Sequence, residues 1–483
     1  MNGFNHRHWH SAHDRPLNRR ELLRQSGVGF GGLALAALLA NSTEAADASA
    51  GESRSNPLAV RPPHFSAKAQ RVIFLFMHGG PSQVDTFDYK PQLEKDDGKP
   101  VPFDKPRVVS GETGNLLKSP WKFRPYGQSG YFVSDLFPKI GKHADEICFI
   151  NSVHGSNSRH GAALLELSTG SDTFIRPSIG SWLTYGLGTE NQDLPGFITI
   201  CPSLSHGGAN NWGSAFLPAV YQGTRIGFAG LESDKATIPF ITRTTPRDRQ
   251  RMELDLLNEF NRKRMEETGP DLDLESRIES FELAFRMQNE APEIQDIATE
   301  SQETLELYGV NNPETRNFAI QCLMARRYAE SGVRFVQISH SYKWDQHGDL
   351  LKGHAKNAKE VDQPISALLT DLRRRGLLDD TIVWWGGEFG RTPVSQGDRD
   401  GRDHNPHAMT QWFCGGGFKS GIKYGESDEY GYFAVRDKVH FHDLHATILH
   451  LMGMDHKRLT YRYAGRDFRL TDVHGEIVTS ILA

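Results

Sequence analysis

Four runs of apolar residues, each about the length of a β-strand, are spaced along the chain. They cover residues 71–77, 146–150, 333–338 and 381–385. The runs are apolar at consecutive positions, which is typical of a central strand in a parallel sheet that helices cover on both faces. A loop rich in His, Ser, Asp, Glu or Gly follows each run, and open α/β sheets build their sites at such carboxyl ends. The pattern therefore predicts an α/β fold with a site at one edge of its sheet.

Segments between these runs show the periodicity of amphipathic helices. One predicted helix has an apolar stripe formed by Leu274, Ile278, Phe281 and Phe285. A second passes through residues 365–372 and ends at Arg373–Gly376, since basic residues in a last turn and a following glycine favour termination. Residues 246–305 combine dense charge with helical periodicity and predict a helical insertion. Residues 71–483 are thus expected to form one large α/β domain. Its doubly wound, mostly parallel sheet would carry helices on both faces.

The N-terminal segment has the features of an export signal. A pair of arginines, Arg19 and Arg20, precedes an uncharged run over residues 26–40 and the small-residue triplet Ala48-Ser49-Ala50. Paired arginines are typical of the twin-arginine route. A run of about 15 residues is shorter than the ~20 that a membrane span needs, which disfavours an N-terminal anchor.

We therefore predict an export signal at residues 1–50 and a linker at 51–70. The twin-arginine export machinery would be a partner, and the mature chain would lack a transmembrane span. Its expected location is the periplasm, the cell surface or the medium.

The composition excludes several classes of function. Lys and Arg total 55 against 60 Asp and Glu, and this net charge of −5 does not indicate a nucleic-acid partner. The 4 cysteines are far apart and form no Cys-x-x-Cys motif, which argues against a disulfide scaffold and a zinc ribbon. The chain has an excess of histidines, 21 in all, and several of them follow the predicted strands, where a functional site is expected.

The candidate metal ligands are imidazoles and carboxylates near strand ends: His78, Asp345, His347, Glu388 and His404. A lone loop histidine is usually solvated or hydrogen-bonded, but such residues at four strand ends favour a shared site. The mixture of carboxylate and neutral imidazole suits Zn²⁺, Mn²⁺ or Fe²⁺ better than an all-oxygen Ca²⁺ site. We therefore predict a divalent metal ion in one pocket.

Six motifs between residues 71 and 483 resemble those of a known family. They are His78–Ser82, Trp344–Gly348, Gly387–Pro393, Gly401–Asn405, Asp443–Gly453 and Tyr463–Asp467. In these motifs and their order the chain resembles the exported "domain of unknown function 1501" family of the alkaline phosphatase and sulfatase superfamily. The resemblance implies an alkaline-phosphatase-like fold and a metal-dependent hydrolase of phosphate or sulfate esters.

The sequence departs from the superfamily pattern at several ligand positions. His78 stands where members have an aspartate after the first strand, and Glu388-Phe389 replaces an Asp-His pair. Asp345 matches the aspartate that begins the third ligand loop. The usual histidine four residues further on is missing, although His347 could substitute for it.

The position where the resemblance places the nucleophile is occupied by His160, ten residues before Gly170. Sulfatases need Cys or Ser in a Cys/Ser-x-Pro-x-Arg motif, which the chain lacks, so standard sulfatase chemistry is disfavoured. His160 could attack phosphorus, bridge a metal or act as an acid/base group, and the alternative is an ordinary hydrogen-bonded histidine. We assign it the catalytic role. Arg391 would hold the oxygens of the anionic substrate, with pairing to Glu388 as an equal alternative.

Two functions remain open. The first is an exported metal-dependent hydrolase that acts on a phosphate or sulfate ester of a small molecule or polysaccharide. The second is a catalytically inactive, sulfatase-like pseudoenzyme that serves as a binding or assembly protein at the cell surface. Loss of the hydroxyl or thiol nucleophile favours the second, whereas retention of ligands at four strand ends favours the first, which we expect.

Overall fold

The computed structural model describes residues 56–104, 111–269, 271–397 and 400–483. The predicted export signal lies outside the described residues, and the predicted linker is described from residue 56 onward. Residues 57–483 form one compact unit. Within the described part of the chain, no helix is both long enough and apolar enough to cross a membrane.

The strands and helices alternate along the described residues. The strands are β1 (Arg71–Phe76), β2 (Thr113–Leu116), β3 (Phe123–Tyr126), β4 (Tyr131–Ser134), β5 (Ile147–His154), β6 (Phe197–Ile200), β7 (Thr224–Ile226), β8 (Phe335–Ser339), β9 (Thr381–Gly386), β10 (Gly390–Arg391), β11 (Val394–Gln396), β12 (His404–Asn405), β13 (Met409–Cys414), β14 (Ile422–Tyr424), β15 (Glu426–Ser427), β16 (Ala434–Arg436), β17 (Val439–His440), β18 (Tyr461–Tyr463) and β19 (Arg466–Phe468). The α-helices are α1 (Gln83–Thr86), α2 (Pro91–Lys95), α3 (His160–Thr169), α4 (Ile179–Leu187), α5 (Arg247–Thr268), α6 (Leu272–Gln295), α7 (Gln302–Tyr308), α8 (Arg316–Glu330), α9 (Leu350–Arg374) and α10 (Phe441–Leu451). Short 3-10 helices cover Ile140–His143, Gly208–Asn211, Ala219–Tyr221, Ser233–Lys235, Ile297–Thr299, Leu378–Asp380 and Thr479–Ile481.

A mixed sheet of 9 strands lies at the centre, in the order β14-β5-β13-β9-β1-β8-β6-β7, with β17 also paired to β5. The four apolar runs form β1, β5, β8 and β9, and every residue of β1, β8 and β9 is buried. In register, Phe74 lies opposite Gln337 on one side and Trp384 on the other. The predicted α/β fold with a mostly parallel sheet is confirmed.

One strand of the main sheet departs from the parallel arrangement. β13 runs antiparallel to both β5 and β9. The chain leaves β9 at the carboxyl edge of the sheet and reaches β13 through the short strands β10, β11 and β12, and the described residues of this connection contain no helix. A strand entered from that edge must run back across the sheet, because parallel pairing needs a crossover to the opposite edge.

Helix α9 confirms the predicted helix and its end. The apolar positions Ile365, Leu368, Leu369 and Leu372 are all fully buried. The helix ends at Arg374, and Gly376 adopts a left-handed φ of 69° just beyond it. The arginines at this end are thus part of a helix terminus, as predicted.

The predicted insertion at residues 246–305 is helical, but its apolar stripe is not fully buried. Ile278 and Phe285 are buried, whereas Phe281 is 42 % exposed. The buried positions further along α6 are Leu283, Met287, Ala291 and Ile294. The face that the helix turns to the core therefore overlaps the predicted stripe only in part, and Phe281 lies outside it.

A buried ion pair joins the short helix α1 to the loop before β12. Arg402 and Asp85 are both fully buried, with Nε 2.6 Å from Oδ2 and an Nη 3.1 Å from Oδ1. Arg402 also donates to the carbonyl oxygen of Leu117 at 2.9 Å. Burial alone raises the pKa of Asp85, but the charge and hydrogen bonds of Arg402 hold that pKa below its ordinary value. Both partners therefore stay charged inside the protein.

We expect Arg402→Met to lower the free energy of unfolding by about 3–5 kcal/mol, since it leaves the Asp85 carboxylate buried and unpaired. Urea denaturation at pH 7 measures this loss. The matched control is Arg436→Met, which breaks the exposed pair with Glu426 and should change stability by less than ~0.5 kcal/mol. A loss no larger than that of the control contradicts the prediction.

Candidate metal centre

The six side chains predicted at the metal and reactive positions lie together at the carboxyl edge of the central sheet. They are His78 after β1, His160 at the start of α3, Asp345 and His347 after β8, Glu388 after β9, and His404 in β12. The pairing of β10 with β12 places Arg391 directly opposite His404. Positions separated by 326 residues in the chain (404 − 78) thus meet in one site.

Asp345, His347 and His404 direct three ligand atoms at one another. Asp345 Oδ1 lies 3.0 Å from His347 Nε2 and 3.1 Å from His404 Nε2. The two Nε2 atoms are 3.0 Å apart. Two imidazole nitrogens and one carboxylate oxygen in such a triangle are the donor set that Zn²⁺ and similar ions bind.

The other nitrogen of each ring fixes which atom can bind a metal. His347 Nδ1 lies 2.6 Å from Gln396 Oε1, and His404 Nδ1 lies 2.7 Å from the carbonyl oxygen of Ser158. An amide or carbonyl oxygen only accepts, so each Nδ1 carries a proton. Each Nε2 is then left with its lone pair directed at the triangle, as in metal-binding histidines.

Asp403 stands behind this triangle. Its Oδ1 lies 3.8 Å from His347 Nδ1, and its buried Oδ2 has no hydrogen-bond partner among the described residues. Three possible ligand atoms, one each from His347, Asp403 and His404, lie within 4.8 Å of one another. Asp403 was not among the predicted ligands.

His160 lies between two carboxylates. Its Nδ1 is 2.7 Å from Glu388 Oε1, and its Nε2 is 3.3 Å from Asp345 Oδ2. Burial alone lowers the pKa of His160, but the hydrogen bonds and charges of Asp345 and Glu388 raise it to about 9. Burial alone raises the pKa of Asp345, but its contact with His160 and the charge of Arg391 help to hold that pKa well below its ordinary value. A charged imidazolium therefore supplies positive charge where the two acids converge.

Among the three histidines predicted as metal ligands, His78 is the most deeply buried. It is 1 % exposed, and within the described chain neither ring nitrogen has a hydrogen-bond partner. Its Nε2 lies 3.9 Å from Glu388 Oε1. Burial lowers the pKa of His78 to about 4, so the ring is neutral. A buried neutral imidazole without a partner fits a metal site, because unmet nitrogens are costly inside a protein.

Arg391 does not pair with Glu388, which was one of two alternatives that the sequence left open, but with Asp345. An Nη lies 2.6 Å from Asp345 Oδ1, and the side chain is fully buried. Glu388 is held elsewhere, since the Gly79 amide donates to both of its oxygens at 3.0 and 3.1 Å. The remaining Arg391 donors face the backbone carbonyl oxygens of Gly79, Gly80, Trp344 and Arg402. This geometry favours positioning of Asp345 over contact with a substrate anion.

His206 and Tyr342 are two site residues that the sequence analysis missed. The His206 ring lies 4.9 Å from that of His160 and 5.8 Å from that of His78, measured between centroids. Tyr342 packs on all three rings at 5.1, 5.5 and 4.8 Å. His206 follows β6, whose residues 197–200 are apolar except for Thr199 and precede a polar loop, as in the four runs that were recognised.

Solved structures that resemble this chain do so at low identity. The lipoteichoic acid synthase LtaP from Listeria monocytogenes is 11 % identical, with 86 % of this chain and 78 % of that chain covered and a TM-score of 0.36. The alkaline phosphatase from the Antarctic bacterium TAB5 is 10 % identical, with 81 % and 99 % covered and a TM-score of 0.32. The PsFucS1 sulfatase from Pseudoalteromonas sp. is 13 % identical, with 80 % and 68 % covered and a TM-score of 0.33.

None of the curated proteins compared with the chain matches it. The sequence profile of the family described as "Protein of unknown function (DUF1501)" matches residues 69–482, which is nearly all of the chain after the N-terminal segment. The predicted family is confirmed, and the chain belongs to the DUF1501 family.

Proposed function

We propose that this protein is a metal-dependent hydrolase of phosphate or sulfate esters. The main support is the triangle of Asp345 Oδ1, His347 Nε2 and His404 Nε2, whose sides measure 3.0–3.1 Å. In both imidazoles Nδ1 donates a hydrogen bond and Nε2 is the atom left to bind a metal, so this set fits a divalent ion such as Zn²⁺, Mn²⁺ or Fe²⁺. Asp345, His347 and His404 would hold the ion, which when bound would polarise the ester and lower the pKa of water.

The attacking group in this proposal is water and not His160. A histidine nucleophile needs an imidazole nitrogen free to approach phosphorus or sulfur. Both nitrogens of His160 instead face carboxylates, at 2.7 Å from Glu388 and 3.3 Å from Asp345. A water nucleophile also requires no Ser, Thr or Cys at this position. The reactive role that the sequence predicted for His160 is therefore replaced here by a role in the ligand and charge network.

Arg159 is better suited than Arg391 to hold the anionic oxygens of the ester. Arg391 is fully buried against Asp345 and backbone carbonyl groups. Arg159 is exposed at the N-cap of α3, one residue before His160. The first N–H groups of a helix and a nearby guanidinium both favour a bound anion.

The proposed setting is outside the cytoplasm. Paired arginines and a following apolar run in residues 1–50 support twin-arginine export, which transports folded proteins. A metal could thus be loaded before export. The substrate would be an ester on a small molecule or on a polysaccharide, in the periplasm or beyond it.

His404→Ala should lower the content of bound divalent metal at least about tenfold, because it removes one of three converging ligands. Metal analysis after loading with Zn²⁺ or Mn²⁺ and desalting measures this change. His407→Ala is the matched control, since His407 lies three residues further on but is exposed. Equal metal content in the two variants contradicts the assignment of His404.

The metal-loaded protein should hydrolyse a chromogenic phosphate or sulfate ester, and His347→Ala should abolish this activity at unchanged far-UV circular dichroism. The reason is that the metal supplies the water nucleophile in this proposal. Protein that binds metal and raises its Tm with it, yet hydrolyses neither ester class, would support the pseudoenzyme instead.

Arg159→Ala should weaken competitive inhibition by inorganic phosphate or sulfate about tenfold or more, because a charge-assisted hydrogen bond is lost. Its metal content should match that of the unsubstituted protein. Arg391→Lys should show the reverse pattern, with weaker metal binding, since it disturbs the group that positions Asp345. An unchanged inhibition constant for Arg159→Ala rules out this anion-binding role.

A further inference from the structure

Three lysines form a row along the exposed side of α9. Lys352, Lys356 and Lys359 are spaced four and three residues apart, so their side chains lie on one face of the helix. All three are exposed, and their ammonium groups have no ion-pair or hydrogen-bond partner among the residues that the structure describes. The row is about 10 Å long. It is therefore a line of positive charge that the rest of the described chain does not neutralise.

The row lines a cleft with a volume of about 510 Å³. The rest of the lining is formed by Pro313, Glu314, Ala355 and Glu360. The carboxylate of Glu360 is already paired with the ammonium group of Lys343. Glu314 is the one other carboxylate among the described lining residues, so the cleft has an excess of positive charge on a chain whose net charge is −5.

The place of the row in the helix favours a bound anion. Helix α9 begins at Leu350, so Lys352 lies in its first turn, which contains no acidic residue. The helix dipole disfavours a cation there and stabilises an anion. Lysines three or four residues apart also repel one another. A negatively charged ligand along the row would relieve both effects.

The cleft lies beside the loop that carries two of the proposed metal ligands. The Gly353 amide donates to the carbonyl oxygen of Asp349 at 2.8 Å, and Asn357 Nδ2 donates to that of Lys343 at 2.5 Å. Glu360 completes this contact through its pair with Lys343. Each lysine of the row directly precedes one of these three helix residues, which places the row about 100° around the helix axis from the loop. A polymer longer than the cleft can therefore extend from it to the candidate metal centre.

We propose that this cleft binds an anionic polysaccharide that carries sulfate or phosphate groups along its chain. The inference rests on the proposed function, because it assigns the hydrolase a polymeric substrate, but its residues lie outside the candidate metal centre. Lysine ammonium groups bind such anions as point charges. Three of them in a row match groups that repeat along a polymer better than they match a single small anion.

Two other polyanionic partners fit the cleft less well. Single-stranded nucleic acid stacks its bases on aromatic rings, and no aromatic side chain belongs to the described lining of the cleft. A helix that binds an anionic membrane inserts large apolar side chains beside its basic residues. Ala355 and Pro313 are the only apolar residues in the described lining, and a concave surface favours one extended chain over a flat lipid layer.

The test measures the affinity of the full-length protein for dextran sulfate and dextran phosphate. The row variant, Lys352→Gln/Lys356→Gln/Lys359→Gln, should bind them at least about tenfold more weakly, because charge-assisted contacts are lost. The slope of log Kd against log salt should also be shallower by about 2 in this variant, since fewer counterions are released. Uncharged dextran should not bind, and the more tightly bound of the two charged dextrans identifies the anion.

The matched control, Lys122→Gln/Lys142→Gln/Lys438→Gln, removes the same charge from three exposed lysines that are far apart in the chain. It should weaken binding less than about twofold, because separate exposed charges are screened by salt. An equal loss of affinity in the two triple variants would show that only net charge matters, and the polysaccharide site would then be wrong.

Hydrolysis separates this inference from the proposed function. With the charged dextran as substrate, the row variant should have a KM about tenfold higher and an unchanged kcat, and with a small chromogenic ester both should be unchanged. If the protein hydrolyses no ester but the row variant loses affinity for the charged dextran, the proposed function fails and the polysaccharide site stands. If the protein hydrolyses the small ester but binds neither charged dextran, the site is wrong and the proposed function stands. Tighter binding to single-stranded DNA or to phosphatidylserine vesicles than to either charged dextran also overturns the site.

Discussion

The buried guanidinium of Arg391 is the interaction on which the loops at the candidate metal centre depend. It is fully buried, and it donates to the carbonyl oxygens of Gly79 and Gly80, to that of Arg402, and to the Asp345 carboxylate. Moving a charge out of water costs several kcal/mol, which these oxygens offset only when all of them are in place. One side chain thus ties together loops that follow two strands of the sheet and a loop from a third segment. The position of Asp345 is a consequence of that requirement.

Close backbone packing at Gly79 and Gly80 makes this arrangement possible. Both have positive φ, +117° and +81°, and a Cβ on Gly79 would lie 2.7 Å from the backbone nitrogen of Asp345. A Cβ on Gly80 would lie 2.6 Å from the Phe389 ring. No other residue type fits there, because a side chain would separate the loops that Arg391 joins. The same packing lets the Gly79 amide hold Glu388 in place beside His160.

The apolar runs predicted the central strands well, because a strand buried on both faces needs apolar residues at every position. Polar residues after those runs predicted which side chains meet at one place, because the carboxyl ends of parallel strands share one edge of the sheet. The sequence analysis failed where the result depended on which residues from separate elements contact one another. The sequence pattern could not show that Phe281 faces away from the core, that Arg391 pairs with Asp345, or that His206 reaches His78. Each depends on how separate elements pack.

The sequence by itself determined the α/β class, the order of the central strands along the chain, and the residue types that meet at their carboxyl ends. These features follow from the local pattern of apolar and polar residues and from the direction of the chain, and the sequence contains both. Only the tertiary structure decided which ligand atoms face each other, which nitrogens hold protons, and which charges are paired. Those properties depend on distances of about 3 Å between residues far apart in the chain, as between His347 and His404, and on the exclusion of water around them.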